Sequence, residues 1–139
     1  MPLSMDADAL RAFLADAFPQ ALRAGFVVDR VDESGVRLVL PVDDRHLRPG
    51  GTVMGPTLMM LADTATYLAV LAVKGPLALA VTSSLDIHFL RRARPHVPVW
   101  AEARLVKLGS RLAVASVELG SAADVVAVAT VTYILPESP

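Results

Sequence analysis

Residues 55–75 read GPTLMMLADTATYLAVLAVKG, and the fold turns on this stretch. Gly55 is the expected N-cap, Pro56 suits the first helical position, Lys74 lies in the last turn and Gly75-Pro76 stops the helix. Between these marks Leu, Met, Ala and Val occupy every side of the helical wheel. A helix that is apolar all round is enclosed by other elements, as when a sheet wraps around it. One carboxylate, Asp63, interrupts the run near its middle. Taking that group out of water costs several kcal/mol unless polar partners replace the solvent, so Asp63 is the first candidate for function. The same acid argues against a membrane span, because the stretch is barely long enough to cross and a central carboxylate is costly in lipid.

Working outward, Leu10, Phe13, Leu14, Ala17 and Phe18 have the three-and-four spacing of a short amphipathic helix, with Asp6 or Ser4 as its N-cap. Pro19 is expected to end it. Residues 26–42, FVVDRVDESGVRLVLPV, predict a hairpin turning at residues 32–35, followed by a loop, DDRHLRPGGT. After the long helix come strand-like stretches at 78–90, 97–108, 112–119 and 125–135, separated by turn residues. This α+β order predicts a curved antiparallel sheet around one long central helix, with a short N-terminal helix beside it. Residues 136–139 read as a loose tail.

The 139 residues suit one domain, 1–139. A hydrophobic fraction of 54% and a mean hydropathy of +0.52 exceed what one small domain hides, which predicts a subunit interface. Thirteen basic against fourteen acidic residues leave a formal charge of −1, so nothing draws the whole chain to nucleic acid or an anionic membrane. The absence of cysteine excludes disulfides and a thiol nucleophile. With Asp6, Asp8 and Asp16 in an acidic N-terminal stretch unlike a signal peptide, a cytoplasmic location is expected. His46, His88 and His96 lack metal-ligand spacing, so no metal is expected.

The stretch GGTVMGPTLMMLADTAT, followed after one strand-length spacing by SSLDIHFLRRA, resembles the hotdog-fold acyl-CoA thioesterases of the phenylacetic-acid-pathway type. The resemblance implies a hotdog fold and hydrolysis of an acyl-CoA thioester. Coenzyme A is then part of the substrate, and no separate cofactor is needed. It also implies that Asp63 is the catalytic acid, that the Gly55 amide polarises the thioester carbonyl, and that the Ser84 hydroxyl orients the attacking water. Met54 stands where the family usually has His, Pro56 at its second Gly, and Arg48 at an upstream Asn.

These residues suit the chemistry. Thioester hydrolysis needs a base or nucleophile, a donor for the developing oxyanion and a place for the acyl chain. Asp63 can serve as either base or nucleophile. The Gly55 N–H, at a helix start, has no internal partner and faces developing negative charge. Gly55 and Asp63 are separated by about 12 Å of helix, too far to meet on one carbonyl. Two antiparallel copies of the helix across a two-fold axis would bring Gly55 of one subunit to Asp63 of the other. Hence the expectation of a homodimer, with pairing of dimers into tetramers left open. Arg91, Arg92 and Arg94 form the densest basic cluster and, with Arg48, are candidates to hold coenzyme A phosphates. Met54, Met59, Met60, Leu58 and Tyr67 are candidates to line an acyl tunnel. Because Met54 and Pro56 replace the family's usual residues, an acyl-CoA-binding protein with little turnover is the alternative. A dehydratase or hydratase would need a second proton-transferring group beside the acid, and the histidine position holds Met54.

Overall fold

The computed structural model describes residues 2–137; of the expected tail, Ser138 and Pro139 lie outside the described residues. In chain order come α1 (Ala7–Ala17), α2 (Pro19–Arg23), β1 (Val27–Asp32), β2 (Gly35–Leu40), a 3-10 turn (Asp44–His46), α3 (Gly55–Lys74), β3 (Val81–Phe89), β4 (Val99–Leu108), β5 (Leu112–Ser121) and β6 (Asp124–Ile134). The six strands form one sheet in the order β1-β2-β4-β5-β6-β3, antiparallel at every pairing. This is the antiparallel sheet around one long helix that the helix composition and element order predict, and the hotdog fold that the resemblance implies.

The long helix is enclosed as its composition requires. Leu61, Ala62, Ala65, Leu68, Val70 and Leu71, which between them point in several directions from the α3 axis, are fully buried. Each buried leucine contributes roughly 1.5–3 kcal/mol of transfer free energy. The sheet achieves close packing by setting small residues opposite large ones: Ala101 pairs with Leu119 and Leu119 with Ala127, Ala103 with Val117 and Val117 with Ala129, Ala113 with Tyr133. Among the described residues α3 is the one helix long and apolar enough to cross a membrane, and the sheet covers most of it.

Several strand ends differ from the sequence expectation by one or two residues, and three differences bear on the site or the packing around it. Met54, in extended conformation, is the N-cap of α3, so Gly55 and Pro56 are its first two helical residues. Pro19 does end α1, but it also opens a second short helix, since proline at a first helical position loses no hydrogen bond there. Residues 78–80 belong to the turn before β3, with the Ala80 N–H donating to the Leu77 carbonyl at 3.0 Å. The α1 cap is as expected: the Asp6 side chain accepts from the Ala9 N–H at 2.9 Å.

The two sheet edges are treated differently. At β1, Arg11 of α1 donates to the Val28 carbonyl at 2.9 Å, and α1 packs alongside the strand. At β3, most of the strand is exposed, including Val81 at 55% and Phe89 at 50%, and Leu90 follows at 57%. An uncovered apolar edge is a surface prepared for another strand.

Candidate active site

Asp63 lies two turns into α3, half-buried, where the helix faces the paired ends of β3 and β6. Two hydroxyls converge on one oxygen of its carboxylate. Thr82 Oγ1 donates to Oδ1 at 2.5 Å, and the Tyr133 hydroxyl lies 2.9 Å from Oδ1 and 3.1 Å from the Asp63 carbonyl oxygen. These bonds replace the hydration that burial removes. Among the described residues no protein donor reaches Oδ2. Burial pushes the Tyr133 phenol well above its ordinary value, so this hydroxyl keeps its proton and remains a donor.

A β-bulge decides which strand hydroxyl reaches the acid. In the β3–β6 ladder Thr82 pairs with the inward Tyr133, whereas Ser84 pairs with Thr132, the register shifting between them. Strand partners share a face of the sheet, so the extra residue Ser83 puts Thr82 and Ser84 on opposite faces. Beyond the bulge Leu85 and Ile87 point inward opposite Val131 and Ala129, while Ser84, Asp86 and His88 point outward. Ser84 is exposed, and the hydroxyl beside Asp63 is that of Thr82.

The carboxylate opens on a cavity of about 440 Å³, walled by Phe18, Met60, Thr64, Tyr67, Ala80 and Tyr133 among others. Tyr67 stacks on Tyr133 with ring centres 5.9 Å apart, and Phe13 and Phe18 pack on Tyr67 at 6.1 and 6.0 Å. Phe18 reaches this wall because it is the hinge between α1 and α2. The Tyr67 hydroxyl donates to the Ala78 carbonyl at 3.2 Å, and burial raises its phenol as well. The result is an apolar, aromatic-walled cavity with one acid at its margin, the usual form of a small-molecule site.

Gly55 lies elsewhere. It faces a second cavity of about 420 Å³ together with Arg48, Leu58, Phe89, Arg91 and Arg92. Backbone bonds assemble this corner: Val53 N–H donates to the Ala93 carbonyl at 3.0 Å and Met54 N–H to the His46 carbonyl at 2.9 Å, tying the glycine-rich loop to the chain that leaves β3. The buried His46 ring is itself held, accepting from the Asp43 N–H at 3.0 Å and donating from Nε2 to the Ala24 carbonyl at 2.9 Å. In the first turn of α3 the Thr57 and Leu58 N–H groups both go to the Met54 carbonyl, and Pro56 has none. Among the described residues the Gly55 N–H has no acceptor, and it is the free donor of that turn. A side chain here would press on Phe89, whose ring edge is 3.3 Å from the position of an added Cβ.

Of the residues singled out in the sequence, Asp63 and Tyr67 share the first cavity, and Gly55, Arg48, Arg91 and Arg92 the second. Arg91 also lies 3.5 Å from Asp124 on the surface. Arg94 faces a smaller, separate hollow with Ser121 and Asp124. Met54 caps the helix and Met59 is part-exposed outside both cavities, while Met60 lines the first. Thr82, Tyr133, Phe18 and Phe89 carried no signal in the sequence beyond their residue types. Among the described residues no group of His, Asp and Glu is arranged to hold a metal ion.

The chain matches the family model of the thioesterase superfamily over residues 50–128, which hold Gly55, Asp63 and the bulged strand but not Phe18 or Tyr133 of the first cavity or Arg48 of the second. A Pseudomonas aeruginosa protein named as a candidate esterase is 37% identical over 101 residues, 71% of this chain and 74% of its own. A candidate thioesterase of Silicibacter sp. TM1040 superposes with a TM-score of 0.90 at 41% identity, covering 98% of this chain and 95% of its own. A mutant form of the phenylacetic acid degradation protein PaaI from Thermus thermophilus superposes with a TM-score of 0.75 at 31% identity, covering 84% of this chain and 97% of its own. By sequence and by fold, the chain belongs to the thioesterase superfamily and is a thioester hydrolase.

Proposed function

We propose that the substrate is an acyl-CoA thioester, that Asp63 is the base or nucleophile, and that the site is shared between two copies of the chain. The observation that carries this reading is the Asp63 carboxylate, gripped through Oδ1 by Thr82 and Tyr133 at the margin of an aromatic cavity, with Oδ2 open. In the base route water attacks the thioester carbon as its proton passes to Oδ2, and negative charge gathers on the carbonyl oxygen. That charge collapses to expel the thiolate, which takes up the proton. Thr82 stands where a strand hydroxyl orients the water, in place of Ser84.

The oxyanion needs a donor that the same subunit does not bring to its own Asp63. Gly55 and Asp63 open on different cavities of one chain, and Gly55 lines the one that Arg48, Arg91 and Arg92 also line. The exposed β3 edge and the part-exposed Met59 and Met60 offer a contact surface for a second copy. Arg48, Arg91 and Arg92 around Gly55 match the phosphates of coenzyme A. The aromatic cavity matches the acyl group.

A panel of acyl-CoA substrates with colorimetric thiol detection tests this reading. Asp63→Asn should lower kcat on the best substrate by about a hundredfold or more, the scale of general acid–base catalysis. Full retention of kcat in that variant would remove Asp63 from the mechanism.

A further inference from the structure

We infer that Tyr133 is a positioning residue for the reaction, holding Asp63 by Oδ1 so that Oδ2 alone faces the thioester. The inference rests on the reading of Asp63 given above and assigns the part of that site which no strand-hydroxyl motif covers. A carboxylate on a helix turns about its last side-chain bond with little resistance, since that torsion is broad and two-fold. Left to itself, Asp63 would present either oxygen to the cavity. The single Tyr133 O–H proton is shared between Oδ1, 2.9 Å away, and the residue's own carbonyl oxygen, 3.1 Å away, as a three-centre bond. The phenol thereby fixes where the side chain begins and where one of its oxygens ends. Thr82 adds a second donor to the same oxygen at 2.5 Å.

Tyr133 is suited to this role because its ring is immobile. It is 4% exposed, stacked on Tyr67, and set opposite both Thr82 on β3 and Ala113 on β5. Thr82, by contrast, lies on the exposed edge strand next to the bulge. The groups that bear on Asp63 are few. Among the described residues lining its cavity it is the one charged side chain, and Tyr67 of α3 and Tyr133 of β6 are the other titratable ones; β3 presents Val81 and Thr82, and the α1–α2 hinge Ala17 and Phe18.

The test compares wild type, Asp63→Asn and Tyr133→Phe on one acyl-CoA substrate, with kcat and KM followed across pH. Tyr133→Phe keeps the cavity wall and removes the hydroxyl alone. It should lower kcat by about tenfold to a hundredfold, the worth of one hydrogen bond to a charged group, with KM nearly unchanged. Site-specific 3-fluorotyrosine at position 133, a stronger donor of almost the same shape, should change kcat with KM nearly unchanged, and it supplies the test if the phenylalanine variant does not fold. Unchanged kcat in these variants, alongside an inactive Asp63→Asn, would overturn the role of Tyr133 and leave that of Asp63 standing. A fall in Tyr133→Phe expressed in KM alone would likewise overturn it, marking the residue as cavity wall. An active Asp63→Asn would instead remove the reading beneath.

Discussion

Tyr133 links stability to chemistry at the scale of a single residue. Its phenol is raised by burial in the folded chain and returns to about 10 when the chain unfolds. A raised folded value means that below about pH 10 both states hold the proton and the full stability is present. Above that pH the unfolded chain releases a proton the folded chain retains, so stability falls as pH rises, by up to about 1.4 kcal/mol per pH unit for each such group. Urea-unfolding midpoints between pH 9 and 11 should therefore decline, and Tyr133→Phe should flatten the decline, leaving the smaller share due to Tyr67, which burial raises too. A midpoint curve of identical slope in both proteins would show that Tyr133 is not shielded as described.

For the element, the apolar positions along the middle of α3 and its first turn divide the labour. Its middle is core: Leu61 and Leu68 are fully buried, and truncating either to alanine should cost about 2–5 kcal/mol, read as a lower denaturant midpoint with an unchanged slope. Its beginning is chemistry. Gly55→Ala keeps the free N–H but brings a methyl to 3.3 Å from Phe89, whereas Gly55→Pro removes the N–H at a position where proline suits the helix. If the amide stabilises the oxyanion, the proline variant should be slower than the alanine variant by about 10²–10³ in kcat. Equal rates in the two would show that the effect is one of space.

At the level of the whole molecule, the separation of Asp63 and Gly55 into two cavities makes a sharp prediction about assembly. Asp63→Asn and Gly55→Pro should each be nearly inactive alone. In a shared-site dimer, co-refolding them in equal amounts yields heterodimers in which one site has both the intact acid and the intact amide. About a quarter of wild-type activity should return, since half the dimers are mixed and each holds one good site of two. No recovery, from a mixture shown by mass spectrometry to contain heterodimers, would place both groups in one chain's site. The exposed β3 edge is where a second copy would add its strand, and a lysine at Val81 should weaken that association in sedimentation experiments.

Residues 55–75 alone determined that this chain encloses a helix, because apolar residues on every side of a helix have no stable place except inside a sheet, and the punctuation at Pro56 and Gly75 set its length. The acid at position 63 was legible for the same reason: a lone charge in such a run needs partners. Which partners it has was decided by tertiary structure. The bulge at Ser83 reverses the facing of the strand and brings Thr82 to Asp63 while turning Ser84 outward, and nothing in the local sequence marks an extra residue that only the pairing with β6 defines. Tyr133 is seventy positions from Asp63 and meets it only because β3 and β6 are neighbours in a sheet whose order is not that of the chain. Periodicity records which face a residue buries; it holds no record of what waits on the other side, and that is where the site of this hydrolase is made.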